Sequence, residues 1–190
     1  MWDLSVPMIG LAMRTDALDH LPEFELPAEY GWRYFQPGDE RLWADIETSA
    51  GEFRTQEDGI RGFRRYYPTD DGLDERMIFL TDHGVPFATA TAWFGEDGED
   101  PAEGRLHWVG IDAAHQGRGL SKPLVSLAMH RLQTLGYTSA YLTTQTASWV
   151  AIKVYHRFGF RPDVRTEKEI EGWQIVSEKT GIDFMKDIRG

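Results

Sequence analysis

Apolar residues along this chain return in two rhythms. From Leu120 they recur at Leu124, Leu127, Ala128, Leu132 and Leu135, the three-and-four spacing of one helical face, and Gly136 follows where a helix C′ residue belongs. Residues 39–50 set Leu42, Ile46 and Ser49 on one face with Trp43 beside them. Residues 56–67 do the same through Ile60, Phe63 and Tyr67, and Pro68 stops that helix. Ser148 is placed to cap a helix running to Gly159, and 167–180 read as helical. The second rhythm is strand-like. It picks out MIGLAM, YGWRYFQPGD, two strands joined at DHG within 75–95, RLHWVGID, YTSAYLTTQT and a start at Phe160. The order is strand, two helices, three antiparallel strands, helix, strand, helix, strand. It predicts a mixed α/β layer with one parallel pair joined by a crossover over 120–136. Residues 30–166 form the expected domain, 1–29 an extension packed on it, and 167–190 a helical C-terminal segment.

Composition narrows the function. The hydrophobic share of 41% and seven Trp allow a sizeable core and exclude wholesale disorder. A formal net charge of -11 disfavours binding driven by nucleic-acid phosphates and fits a cationic substrate better. There is no cysteine, which excludes disulfides, thiolate metal sites and a cysteinyl nucleophile. No stretch reaches the roughly 18 apolar residues of a membrane span, and MWDLSVPMIGLAM lacks a basic start, so a cytoplasmic location is expected. No HExxH or other metal spacing and no G-x-S-x-G elbow is present.

The stretch HQGRGLSKP carries the strongest chemistry. Gly117 and Gly119 permit positive φ and close approach to the backbone. The first amides of the helix that follows lack intrahelical partners, Pro123 costs little in a first turn, and Arg118 and Lys122 add charge. Such a place binds phosphate, although an ordinary glycine-rich turn has the same composition. Neither a Walker A loop nor a complete G-x-G-x-x-G is present, since Lys122 stands where the third glycine belongs.

QGRGLS after WVGIDAAH resembles the acyl-CoA-binding signature of the GCN5-related N-acetyltransferases, [QR]-x-x-G-x-[GA]. Gln116 and Gly119 match, and Ser121 departs. AIKVYHRFGF resembles that family's second signature through Ala151, Tyr155, Gly159 and Phe160, with Ser148 where asparagine is usual. The resemblance implies a GNAT-like α/β fold, a mixed antiparallel/parallel central sheet flanked by helices. It also implies acetyl-CoA or another acyl-CoA as cofactor. Its pyrophosphate would lie on Gln116, Gly117, Arg118, Gly119, Leu120 and Ser121, with Lys122, Ser148 and Ala151 adjoining, and Val109 and Ile111 would hold the pantetheine arm.

N-acyl transfer needs a proton taken from the amine and one given to the thiolate. Read from the residues alone, Tyr155 is a core aromatic beside Phe158; the resemblance makes it the acid. The family's base commonly stands where Arg105 does here, and an arginine cannot serve. On a regular strand Glu103, Arg105, His107, Val109 and Ile111 share a face, which makes His107 and Glu103 the candidate bases and Asp112 a lesser one. The expected activity is transfer of acetyl to a primary amine by direct attack. The alternative is an acyl-CoA-binding module without turnover. The acceptor is expected to be a small amine or a protein amine, with the oligomeric state open, a homodimer included. The acidic stretch 96–103 is either an attractor for a cationic acceptor or a solvated connection.

Overall fold

The computed structural model describes residues 2–69, 72–95 and 102–188. Seven strands form one mixed sheet: β1 (Gly10–Thr15), β2 (Tyr30–Tyr34), β3 (Met77–Asp82), β4 (Val85–Phe94), β5 (Glu103–Ile111), β6 (Ser139–Gln145) and β7 (Arg161–Pro162). Their order is β2-β3-β4-β5-β6-β1-β7. β5 and β6 run parallel, with Gly104 opposite Ala140, and the pairings of β1, β2 and β3 are antiparallel. Among the described residues six helices accompany the sheet: α1 (Glu40–Ala50), α2 (Gln56–Tyr66), α3 (Leu73–Arg76), α4 (Ser121–Thr134), α5 (Trp149–Arg157) and α6 (Glu167–Thr180). This is the architecture expected from the sequence, with the β5–α4–β6 crossover supplying the parallel pair.

Contacts divide the chain into two compact units. The first comprises Glu23–Trp93 and Leu106–Arg131. Its helices α1 and α2 lie close because Gly59 presents no side chain to Ala44, whose Cβ would be 2.9 Å from any methyl placed there. The Thr55 side chain caps α2 by accepting from the Asp58 N–H. Trp43 is fully buried among Phe35, Phe63, Tyr67 and Phe79. The β3–β4 turn has positive φ at both His83 and Gly84, the conformation a two-residue hairpin favours.

The second unit comprises Trp2–Pro22, Phe94–Arg105 and Leu132–Gly190. Within it β1 sits between β6 and β7, with Met13 paired to both Leu142 and Pro162. A capping box of Thr166 and Glu169 starts α6. Gly172 of that helix lets it settle on β1, where an added methyl would lie 2.9 Å from a Leu11 methyl.

Some local expectations are corrected. Ser148 makes no side-chain cap to α5; its hydroxyl accepts from Gln145 Nε2 at 2.9 Å, and a 3-10 turn over Thr146–Ser148 leads into the helix instead. The strand expected from Phe160 starts at Arg161 and is only two residues long, and Pro162 cannot donate to a ladder. The short α3 was not expected. β5 does not alternate throughout, because Trp108 adopts φ 47°. As a result His107 and Trp108, successive residues, both pack on Tyr66, at 6.1 and 4.7 Å between ring centroids. A regular strand would send them to opposite faces. The single face expected for residues 103–111 therefore ends at the bulge.

Candidate functional site

The glycine stretch lies in the first unit, between the end of β5 and the start of α4. Its geometry follows from local chemistry. The Asp112 carboxylate accepts from the His115 N–H at 2.9 Å and contacts His115 Nδ1 at 2.7 Å, an Asx turn that ends the strand. His115 stacks on Phe87 with centroids 4.0 Å apart. The Gln116 side-chain amide donates to the Ile111 carbonyl at 2.8 Å, tying the loop to the strand. Gly117 and Gly119 have φ 76° and 80°, which glycine alone adopts without strain.

This loop fits a phosphate group. Nothing lies within 4 Å of where a Cβ would stand on Gly117 or Gly119, so both backbones are open to approach. Among the described residues the N–H groups of Gly119, Leu120 and Ser121 donate no hydrogen bond. The helix that follows contributes its positive dipole end. Arg118 spans the loop, donating to the Ala114 carbonyl at 2.9 Å and the Tyr30 hydroxyl at 3.3 Å. Lys122 is not aimed at the glycines alone; its Nζ stands 5.6 Å from the centre of the Phe24 ring. Leu120 is buried and anchors the helix start, and Val109 and Ile111 are half-buried on β5.

Also in the first unit, His107 is 7% exposed and enclosed by rings, with Tyr67 at 5.8 Å besides Tyr66. Phe53 stacks on Trp108 at 5.4 Å, and Trp43 meets Trp108 at 5.2 Å. Phe53 and Tyr66 line a cleft of about 390 Å³ together with Gly62, Arg54, Arg61 and Arg65. Trp43 and Phe63 are core, whereas Phe53 and Tyr66 border open space.

Glu47 of α1 was missed in the sequence. It is fully buried, and neither carboxyl oxygen has a hydrogen-bond partner among the described residues. Burial, with the like charge of Glu52 second, holds its pKa well above the usual carboxyl range. The only hint was an acidic residue one turn after Trp43 on the apolar stripe of a helix.

In the second unit, the Glu103 carboxylate is paired with Arg14 and is 1% exposed. Arg105 donates to the Thr143 hydroxyl at 3.1 Å and lies over the Tyr141 ring. Tyr155 is 7% exposed on α5, edge-on to Phe160 at 6.3 Å. Ala151 is half-buried one turn before it. Gly159 has φ 89° and turns the chain after α5. Of the acidic stretch 96–103, residues 96–101 lie outside the described residues. No group of three or more His, Asp or Glu is gathered as a metal site among the described residues, and no helix among them is long and apolar enough to cross a membrane.

Comparison with known proteins places these features. Residues 32–160 match the model of the acetyltransferase (GNAT) family. The chain is 38% identical over 157 residues to the mycothiol acetyltransferase of Nocardia farcinica, covering 78% of this chain and 51% of that protein. It is 28% identical over 148 residues to the mycothiol acetyltransferase of Mycobacteroides abscessus, covering 76% of this chain and 50% of that one. The chain thus spans about half the length of the curated relatives it matches. Among solved structures, a GCN5-related N-acetyltransferase from Sphaerobacter thermophilus superposes with a TM-score of 0.64 at 21% identity, over 81% of this chain and 48% of that chain. That likeness concerns the fold.

Proposed function

This chain belongs to the acetyltransferase (GNAT) family, and from that premise we propose that it transfers an acetyl group from acetyl-CoA to a primary amine by direct attack. One observation carries the reading: two left-handed glycines with open backbones, followed by unused amides at the start of α4. In this reading Gln116 to Ser121 hold the pyrophosphate, with Gln116 fixing the loop and Arg118 and Lys122 adding charge. Val109 and Ile111 hold the arm, and Ser148 and Ala151 adjoin the cofactor. Bound there, acetyl-CoA supplies an activated thioester. The loop orients it, and the aromatic surroundings of the first unit keep water from the reacting end.

Tyr155 is proposed as the proton donor to the leaving sulfur; a phenol is protonated at neutral pH and fit for that task. His107 is proposed to take a proton from the amine. Glu103 is the alternative, less favoured because Arg14 already holds its carboxylate. The relatives' names attach their acetyl transfer to mycothiol, which puts a small-molecule acceptor ahead of a protein amine here. Acyl-CoA binding without turnover is the second reading. It is favoured by Arg105, which occupies the usual base position and is engaged with Thr143.

Calorimetric titration with acetyl-CoA tests the cradle, and thiol release in the presence of amines tests the transfer. Saturable acetyl-CoA binding with amine-dependent thiol release supports the proposal. Binding without release under any amine supports the second reading, and a folded protein that binds no acetyl-CoA rejects both.

A further inference from the structure

A carboxyl enclosed without a hydrogen-bond donor destabilises a fold, and native cores keep few of them. Glu47 is such a group, with both oxygens unpartnered among the described residues. A glutamine or leucine would fill the same volume, so packing does not call for an acid.

Its surroundings in the first unit are specific. The carboxyl is seated on β5 at Gly110, where an added Cβ would be 2.6 Å from Oε1 and 2.8 Å from Oε2. Only glycine leaves that room. The Asp112 N–H donates to the Phe87 carbonyl at 2.9 Å, tying the end of β5 to β4. The Thr89 hydroxyl is also buried and unpartnered among the described residues. Trp108, two residues before Gly110, stands between this place and the cleft: Phe53 and Tyr66 line the cleft and both pack on Trp108. Trp43, one turn before Glu47, packs on the same indole.

An acid beside aromatic faces has one complementary ligand class. A carboxylate attracts a cation, and ring faces attract a cation too. An anion is repelled by both. The charged neighbour acting on Glu47 is Glu52, an acid that strengthens the same preference. Gly110, on which the carboxyl sits, carries no charge.

We infer that Glu47 receives the acceptor amine as an ammonium ion and takes its first proton, an assignment that rests on the acetyl-transfer reading above. The proton balance closes. Glu47 releases its own proton to solvent when the ammonium binds, and regains one from the ammonium to leave a neutral amine. As the nitrogen–carbon bond forms and the carbon–sulfur bond breaks, the nitrogen's second proton is lost and the thiolate gains one. His107 and Tyr155 are the proposed carriers of that second transfer. Over one cycle an ammonium and a thioester become an amide, a thiol and one free proton.

Infrared difference spectroscopy of the full chain tests this without acetyl-CoA. The probe is propylammonium chloride, and propanol is the uncharged control. The expected result is a buried protonated-carboxyl band in the parent, absent from Glu47→Gln, and lost on adding propylammonium but not propanol. A band indifferent to propylammonium overturns the inference, whether or not Glu47→Gln folds. In parallel, Glu47→Gln should keep the parent's acetyl-CoA affinity while thiol release with propylamine falls at least about tenfold. Release equal to the parent's, or lost acetyl-CoA affinity, also overturns it. If the parent itself binds no acetyl-CoA, the acetyl-transfer reading fails, and the infrared result still decides whether Glu47 meets an ammonium.

Discussion

Glu47 and Gly110 are 63 positions apart and fit together as carboxyl and bare backbone: a methyl on Gly110 would stand 2.6 Å from Glu47 Oε1. The strand therefore accepts an acid at this point only because it lacks a side chain there.

Gly110→Ala should destabilise the protein by about 1–3 kcal/mol through overpacking. Glu47→Ala in the same chain should return much of that loss, because the two positions share one space. Urea unfolding of the two single variants and the double variant measures the coupling; strictly additive effects would show that the contact is not what limits position 110.

The buried acid also sets a pH dependence. Glu47 has its folded pKa raised above the ordinary 4.5 by burial. The folded chain then keeps a proton that the unfolded chain gives up. This contribution to stability is complete below the ordinary value and is lost as pH rises toward and through the raised one. Parent and Glu47→Gln should have parallel stabilities in acid and diverge as pH climbs through that window, the parent falling behind. Denaturant midpoints at a series of pH values would detect this, and parallel curves throughout would contradict it.

Gly119→Glu should weaken acetyl-CoA binding by at least about tenfold, since it puts bulk and like charge against the phosphates. The fold should survive with a loss of about 1–2 kcal/mol, the penalty for a non-glycine residue at φ 80°. Gly119→Asn, which tolerates that conformation better, should fold as well as the parent, and calorimetry then separates strain from obstruction. Unchanged affinity in a folded Gly119→Glu would remove the phosphate assignment.

Tyr155→Phe keeps the ring that meets Phe160. It should bind acetyl-CoA like the parent while kcat falls by about 10²–10⁴, the usual contribution of a positioned proton donor. Thiol-release kinetics decide; undiminished kcat would return Tyr155 to a packing role.

Much of this was legible because it is local. The strand-to-helix loop at 116–121 declares itself through glycines whose backbone requirement is intrinsic to the residue type. The DHG turn does so through a conformation that His83 and Gly84 both adopt. What the sequence concealed depends on distant partners. Trp108 in a left-handed conformation has no local marker, so the alternation rule carried through it and kept 103–111 on one face. Glu47 looked like a stray acid because Gly110, which makes room for it, is far along the chain. Ser148 has the right residue type for a cap, yet Gln145 engages its hydroxyl.

The placement of β1 has a consequence for how the chain is made. Gly10–Thr15 pair with residues 140–145 on one edge and with Arg161 and Pro162 on the other. During synthesis, this strand emerges long before either partner exists. It must wait through well over a hundred further residues with its apolar face unpaired, and such non-local pairing is slow to form. The first unit can collapse on the ribosome while β1, the middle strand of the second, still lacks a partner on both edges. A nascent chain halted before residue 139 should therefore be a substrate for chaperones at its amino end, and β1 is where they would bind.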